Sequence, residues 1–388
     1  MAAMSLLSLS EADLRVRTSL KWRRYPADVL PLWVAEMDVA THPAVREAVG
    51  AALSAGDTGY PTGAEYEEAF AAMAEARWGW RLDPRRQAVR VGDVMNAILA
   101  ILEATTWPGD AVVINPPIYP PFRQVVEGYR RRVREVHLTP SGRLDLDGLA
   151  DAFGGPDRPA AYLLCSPHNP NGTVHTREEL AAVATLCVTH GVQLVVDEIH
   201  AVLVDPGVEF VPVLTLPEAS GALVATSAGK GWNLAGFKAG LVLGGPDARG
   251  ALRALPPLAA QSTGHLAKLA HTAALLHAQD WVDELMIEVS ANKRLLAGLL
   301  ADRLPDLRYA PSEGTYLAWV DCRALEVPHP YLHFLEGGRV AFNDGASFGR
   351  EYGGFVRINL AASPAMITDA VDRMVTACEG PPPRNPGR

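Results

Sequence analysis

The run Val192-Gln193-Leu194-Val195-Val196-Asp197-Glu198-Ile199-His200 decides how the chain folds. Five almost wholly apolar residues have the length of a strand, and a strand without polar alternation is buried on both faces, as in a parallel sheet covered by helices. The run ends abruptly in charge, and in such sheets ligands gather beyond the carboxyl ends of the strands. Two other runs end the same way: Ala161–Cys165 in Ser166-Pro167-His168-Asn169-Pro170-Asn171-Gly172, and Leu223–Thr226 in Ser227-Ala228-Gly229-Lys230-Gly231-Trp232-Asn233. With Ala111–Ile114 and Gly240–Leu243 they make five strand candidates, separated by helical stretches such as Asn96–Thr106, Thr176–Thr189 and Ser262–Leu276. This alternation predicts an α/β fold with a large, mostly parallel-sheet domain over residues 46–284. The amphipathic segment Trp281–Leu304 leads out of it, and Tyr316–Asp321 and Phe355–Leu360 predict a smaller α+β domain over 285–380. Residues 1–45 are expected to pack with that smaller domain, and the Pro/Gly-rich residues 381–388 to form a disordered tail.

The 388 residues, 48% hydrophobic and 20% charged, suffice for two or three domains with a sizeable core. Forty-four acidic against 35 basic side chains leave a net charge of -9, which repels a phosphate backbone and argues against nucleic acid as a partner. Cys165, Cys187, Cys322 and Cys378 lie far apart with no C-x-x-C pair, so no metal site or disulfide framework is expected and a reducing cytoplasm fits. Neither a signal peptide nor a membrane span is read in the sequence.

A lysine ending a buried strand between two glycines, as Lys230 does, lets a bulky group approach and loses its proton more readily when desolvated. Such a lysine suits a Schiff base. Taken alone, Lys230 reads as a solvated loop lysine and Asp197 as a loop or cap acid. Together they match the needs of pyridoxal phosphate chemistry, which requires an amine to hold the cofactor and a carboxylate to keep the pyridine nitrogen protonated.

The order Asn169-Pro170, Asp197, Ser227-Ala228-Gly229-Lys230, Lys238 and Arg357 resembles the fold-type I, class I/II aminotransferase superfamily of pyridoxal 5'-phosphate (PLP) enzymes over almost the whole chain. Trp33-Val34-Ala35-Glu36-Met37-Asp38, Asp197-Glu198-Ile199-His200, Gly314-Thr315-Tyr316-Leu317-Ala318-Trp319 and Gly354-Phe355-Val356-Arg357-Ile358-Asn359 look most like its MalY/PatB branch of cystathionine and cysteine-S-conjugate β-lyases. The resemblance implies that Lys230 binds the cofactor and moves the substrate Cα proton, Asp197 pairs with the pyridine nitrogen and Asn169 bonds the ring O3′. It also implies a cis Asn169-Pro170 bond. His200 is either structural or a tuning group near O3′. The Asp93 and Val94 amides, Ser227 and Lys238 match the phosphate cup, although a carboxylate at Asp93 would repel a phosphate unless it turned away. Tyr119 matches the ring stacked on the pyridine, with a core aromatic as the plainer reading. Tyr60 resembles the tyrosine that reaches the phosphate and substrate of a neighbouring subunit, implying a homodimer with shared sites, though Gly59-Tyr60-Pro61 also reads as a simple turn. Arg357 matches the clamp on the substrate α-carboxylate, with a structural salt bridge as the alternative. The backbone at Ala35 is expected at the same carboxylate and Trp33 in the pocket wall.

The expected reaction is β-elimination of a sulfur-containing amino acid, a C–S lyase activity. A class I/II aminotransferase shares its first steps, and a regulatory scaffold that uses the fold only for binding is a third reading. The complete set of Lys230, Asp197 and Arg357 favours catalysis over the scaffold.

Overall fold

The computed structural model describes residues 5–380; the expected tail at 381–388 lies outside them. Seven strands form the main sheet: β1 (Ala88–Val91), β2 (Ala111–Ile114), β3 (Arg132–Glu135), β4 (Ala161–Cys165), β5 (Gln193–Asp197), β6 (Leu223–Thr226) and β7 (Gly240–Gly244). Their order is β1-β7-β6-β5-β4-β2-β3, and β7 alone runs antiparallel to both its neighbours. Successive side chains of a strand point to opposite faces, and both faces here are apolar. Leu164, Val196 and Val224 enter one core, while Leu163, Val195 and Leu223 enter the other. Helices cover both sides. α1 (Val94–Thr105) starts at Asp93, whose Oδ1 accepts from the Asn96 N–H at 2.8 Å. α2 (Arg177–His190) starts with a reciprocal cap between Thr176 and Glu179 and stops at Gly191, where a φ of 62° suits glycine. Two further helices are α3 (His265–His277) and α4 (Gln279–Arg303).

A second, antiparallel sheet joins β8 (Leu317–Asp321), β9 (Asn343–Asp344) and β10 (Phe355–Asn359), with β10 central. Its core contains Val320, Phe342, Val356 and Ile358 together with Leu14, Trp22, Leu30 and Leu32 from the N-terminal segment. Leu30–Pro31 also pairs in parallel with Val340–Ala341. Other N-terminal residues, among them Leu7, Met37 and Val45, pack into the large core instead, so this segment bridges the two units. α4 does the same along its length: Leu285 and Val289 pack in the large core, Leu296 and Leu300 in the small one. We propose residues 46–284 and 285–380 as the two domains, with α4 as the helix shared between them.

Residues 33–39 have no regular secondary structure, yet their backbone groups are held from every side. Buried carbonyls need partners, and here side chains supply them. The Trp33 carbonyl accepts from Arg357 Nη2 at 3.2 Å and the Val34 carbonyl from Asn359 Nδ2 at 2.8 Å. Ala35 O accepts from Lys230 Nζ at 2.8 Å and from the Tyr316 hydroxyl at 3.1 Å. Glu36 O takes Asn359 Nδ2 at 2.6 Å and Lys21 Nζ at 3.1 Å, and Met37 O takes Asn233 Nδ2 at 3.0 Å and Arg17 Nη1 at 3.2 Å. Lys21 also makes a fully buried ion pair with Asp38 at 2.7 Å. Removing one partner of such a pair strands the other charge in the core. Lys21→Met is therefore expected to lower unfolding stability by about 3–5 kcal/mol, and Lys21→Met/Asp38→Leu to recover much of it, as read by urea unfolding. A loss below about 1 kcal/mol in the single variant, the size of a surface pair, would contradict this role.

Candidate active site

The carboxyl ends of β4, β5 and β6 converge on a cleft of about 360 Å³. Twelve of the thirteen residues expected from the sequence line it: Trp33, Ala35, Asp93, Val94, Tyr119, Asn169, Asp197, His200, Ser227, Lys230, Lys238 and Arg357. Tyr60 does not. It is 99% exposed on the single chain and makes no wall of this cleft.

Asp197 ends β5, buried, with Oδ1 accepting from the Ile199 N–H at 2.9 Å. Burial pushes its carboxyl up to about 7, against the opposing pull of that N–H and of Lys230. Lys230 follows β6. Burial, reinforced by the positive charge of Arg357, brings its ammonium down to about 8. Arg357 sits in the middle of β10, opposite Trp319 and Asn343 in register. Its guanidinium is buried, donates from Nη1 to Asn169 Oδ1 at 2.9 Å, and lies 5.0 Å from the ring centre of Phe348. No carboxylate pairs with it among the described residues, Nε has no partner, and burial lowers it to about 10. The salt bridge that would have made Arg357 purely structural is thus missing. His200 is buried beside Tyr316, with Nδ1 unpartnered, and burial drives it down to about 3, so the ring is neutral at neutral pH.

At the start of α1 the Asp93 carboxylate turns back to cap the helix and receives Lys238 Nζ on Oδ2 at 2.9 Å. Burial raises this carboxyl, but the Asn96 N–H and Lys238 outweigh it and hold it below its usual range. Helix geometry leaves the Val94 and Met95 N–H groups without intrahelical acceptors, so the first turn can still receive a phosphate. Ser227 Oγ donates to Ala239 O at 2.6 Å and accepts from the Gly229 N–H at 2.9 Å. Tyr119 is half-buried just before the helix at Pro120–Gly128, edge-on to Phe122. One expectation is corrected: the cis bonds are Pro116-Pro117 and Ser166-Pro167, and Asn169-Pro170 is trans. Asn169 nevertheless reaches Arg357.

Sequence reasoning passed over several contributors. Tyr316 and Asn359 stood inside recognised runs without a function, and the fold shows them anchoring the 33–37 carbonyls. Met95, Phe237 and Asn343 also line the cleft, and only their neighbours in sequence hinted at it. Lys21 gave no local signal.

The family model for aminotransferase class I and II matches residues 27–374. The chain belongs to this family. A Mycobacterium leprae protein provisionally named a cystathionine β-lyase is 44% identical over 96% of this chain and 98% of its own. The cystathionine β-lyase of Corynebacterium glutamicum is 31% identical over 94% of this chain and 98% of its own. The structure of cystalysin from Treponema denticola, which contains PLP, aligns with a TM-score of 0.88 at 26% identity, covering 96% of this chain and 97% of that one.

The cofactor of this family member is PLP, and the cleft's own imbalances fit it. Asp197 is a buried carboxylate with a raised affinity for protons, which a protonated pyridine nitrogen would satisfy. Lys230 is a half-buried amine whose ammonium is held well below its usual range. Lys238 and the open first turn of α1 can share a phosphate. In the apoprotein, labelling of Lys230 by an amine-directed reagent, followed by mass spectrometry against pH, is expected to show a midpoint near pH 8. Arg357→Met removes a positive neighbour and should move that midpoint upward; a midpoint near the ordinary 10.5 in the unaltered protein would contradict the assigned environment.

Proposed function

We propose that the protein is a PLP-dependent carbon–sulfur β-lyase, acting on cystathionine or another L-cysteine S-conjugate to give a thiol, pyruvate and ammonia. The observation that carries it is a buried, carboxylate-free Arg357 in the same cleft as Lys230, in a chain similar end to end to a cystathionine β-lyase. When bound, the cofactor supplies an electron sink for the Cα carbanion.

The chain's residues do the rest. Arg357 binds the substrate α-carboxylate with the N–H groups not already given to Asn169 and Trp33, helped by the backbone at Ala35, and this fixes the Cα–H bond before Lys230. Lys230, neutral at mildly alkaline pH, takes the Cα proton. The C–H electron pair becomes a Cα=Cβ bond as the Cβ–S bond breaks and the thiolate leaves; the freed enamine takes up water to give pyruvate and ammonia. Asp197 would hold the pyridine-nitrogen proton, Asn169 and the neutral His200 would serve the ring O3′, and Tyr119 and Trp33 would close the sides. Val94, Ser227 and Lys238 would hold the phosphate, with the Asp93 carboxylate orienting Lys238.

Tyr60 has no work on its own chain. Fully exposed, it fits a homodimer in which it enters the second copy's cleft. Four free thiols suit a reducing cytoplasm. Among the described residues no helix is long and apolar enough to cross a membrane.

Holoenzyme given L-cystathionine or an S-alkyl-L-cysteine should release thiol and pyruvate in equal amounts. Lys230→Ala and Tyr60→Ala proteins should each be nearly inactive and should regain activity when unfolded and refolded together, because one site of the hybrid is intact. Amino-group exchange with a 2-oxo acid and no thiol would establish an aminotransferase instead, and failure of the mixture would remove the shared site.

A further inference from the structure

One face of the small sheet packs in its core, and the other is aromatic. Val356 and Ile358 of β10 enter the core with Val320, so Phe355 and Arg357 share the opposite face, where Trp319 stands across from Arg357 in register. The rings on that face form a continuous run. Phe355 stacks on Trp319 with centroids 5.1 Å apart and planes at 8°, and Trp319 meets Phe348 edge to face at 5.3 Å. An arginine closes each end: Arg323 lies 5.0 Å from the ring centre of Phe355, and Arg357 lies 5.0 Å from that of Phe348.

The two arginines differ in what else holds them. Arg323 is exposed and pairs with the Asp321 carboxylate at 2.7 Å. Arg357 is buried, and its hydrogen-bond partners among the described residues are the uncharged oxygens of Asn169 and Trp33. A buried cation needs a countercharge or something equivalent. A carboxylate would supply it but would also occupy the N–H fork that a substrate carboxylate requires. The negative face of an aromatic ring attracts the cation and leaves the fork free. Phe348 is well fixed for this task. It is buried at the end of the helical turn Gly345–Phe348, and its carbonyl accepts the Ile118 N–H of the large unit at 3.0 Å, one residue before Tyr119.

Resting on the reading of Arg357 as the α-carboxylate clamp, we propose that Phe348 is its positioning residue. The ring face takes the place of a carboxylate, holding the guanidinium in the cleft with N–H groups left for the substrate. The Ile118 bond ties the same residue to the Tyr119 side of the cleft, so Phe348 also sets the clamp relative to the large unit.

Binding of L-alanine, which has an α-carboxylate and no leaving group, tests this on the holoenzyme without any need for turnover. The concentration that half-saturates the change in the cofactor's absorbance is expected to rise about ten- to thirtyfold in Phe348→Leu, the loss of one desolvated cation–ring contact. KM for L-cystathionine should rise by a similar factor, while kcat falls far less. Replacing Phe348 by phenylalanines with one, two and three ring fluorines weakens the negative face at nearly constant shape. Half-saturation should then climb stepwise with each fluorine, a trend that packing alone does not produce. Unchanged binding in Phe348→Leu or a flat fluorine series would overturn the role of Phe348. Unchanged L-alanine binding in Arg357→Met would instead remove the clamp reading on which the proposal rests. L-alanine binding that depends on Phe348, together with no pyruvate from L-cystathionine, would support the proposal and remove the lyase reading alone.

Discussion

Five consecutive carbonyls, from Trp33 to Met37, accept hydrogen bonds from the side chains of Arg17, Lys21, Lys230, Asn233, Tyr316, Arg357 and Asn359. An irregular buried segment cannot satisfy its own backbone, so it must borrow donors, and these come from both units and from the N-terminal segment. The same bonds that settle the loop therefore fix how β10 sits relative to β6, and so how Arg357 faces Lys230. The Lys21–Asp38 pair behind it is fully buried, which makes the loop expensive to displace once formed.

The cleft is built from charges that the protein leaves incomplete. Asp197 is drawn toward protonation, Lys230 toward neutrality, and Arg357 stands buried with no carboxylate at hand. In a packed core such groups would be destabilising, and they cluster where a ligand completes them. Their spacing along three strand ends and one antiparallel strand means that neither unit forms the site alone.

Much of this was legible in the chain because burial on both faces leaves a clear mark. Ala111–Ile114, Ala161–Cys165 and Leu223–Thr226 read as strands and are strands with those bounds. Arg132–Glu135 and Ala88–Val91 were missed, since both lie at the sheet's edges and carry charged or half-exposed side chains. Asn169, Asp197, His200, Ser227 and Lys230 stand in polar clusters that follow apolar runs, whereas Trp33, Ala35, Asp93, Val94, Tyr119, Lys238 and Arg357 could be named only through the resemblance. Lys21, Tyr316 and Asn359 could not, because their work is to bond backbone far away in sequence, and nothing local encodes that. Tyr60 carries a meaning only through resemblance, since on one chain it touches nothing in the cleft.

The central claim is that this cleft holds PLP on Lys230, opposite Arg357. Borohydride reduction of the holoprotein, followed by digestion and mass spectrometry, tests it directly. The account predicts a phosphopyridoxyl group on the peptide containing Lys230 and on no other lysine, with loss of the visible-edge absorbance. A label on Lys238, Lys268 or any other lysine, or a reduced protein without label, would contradict it.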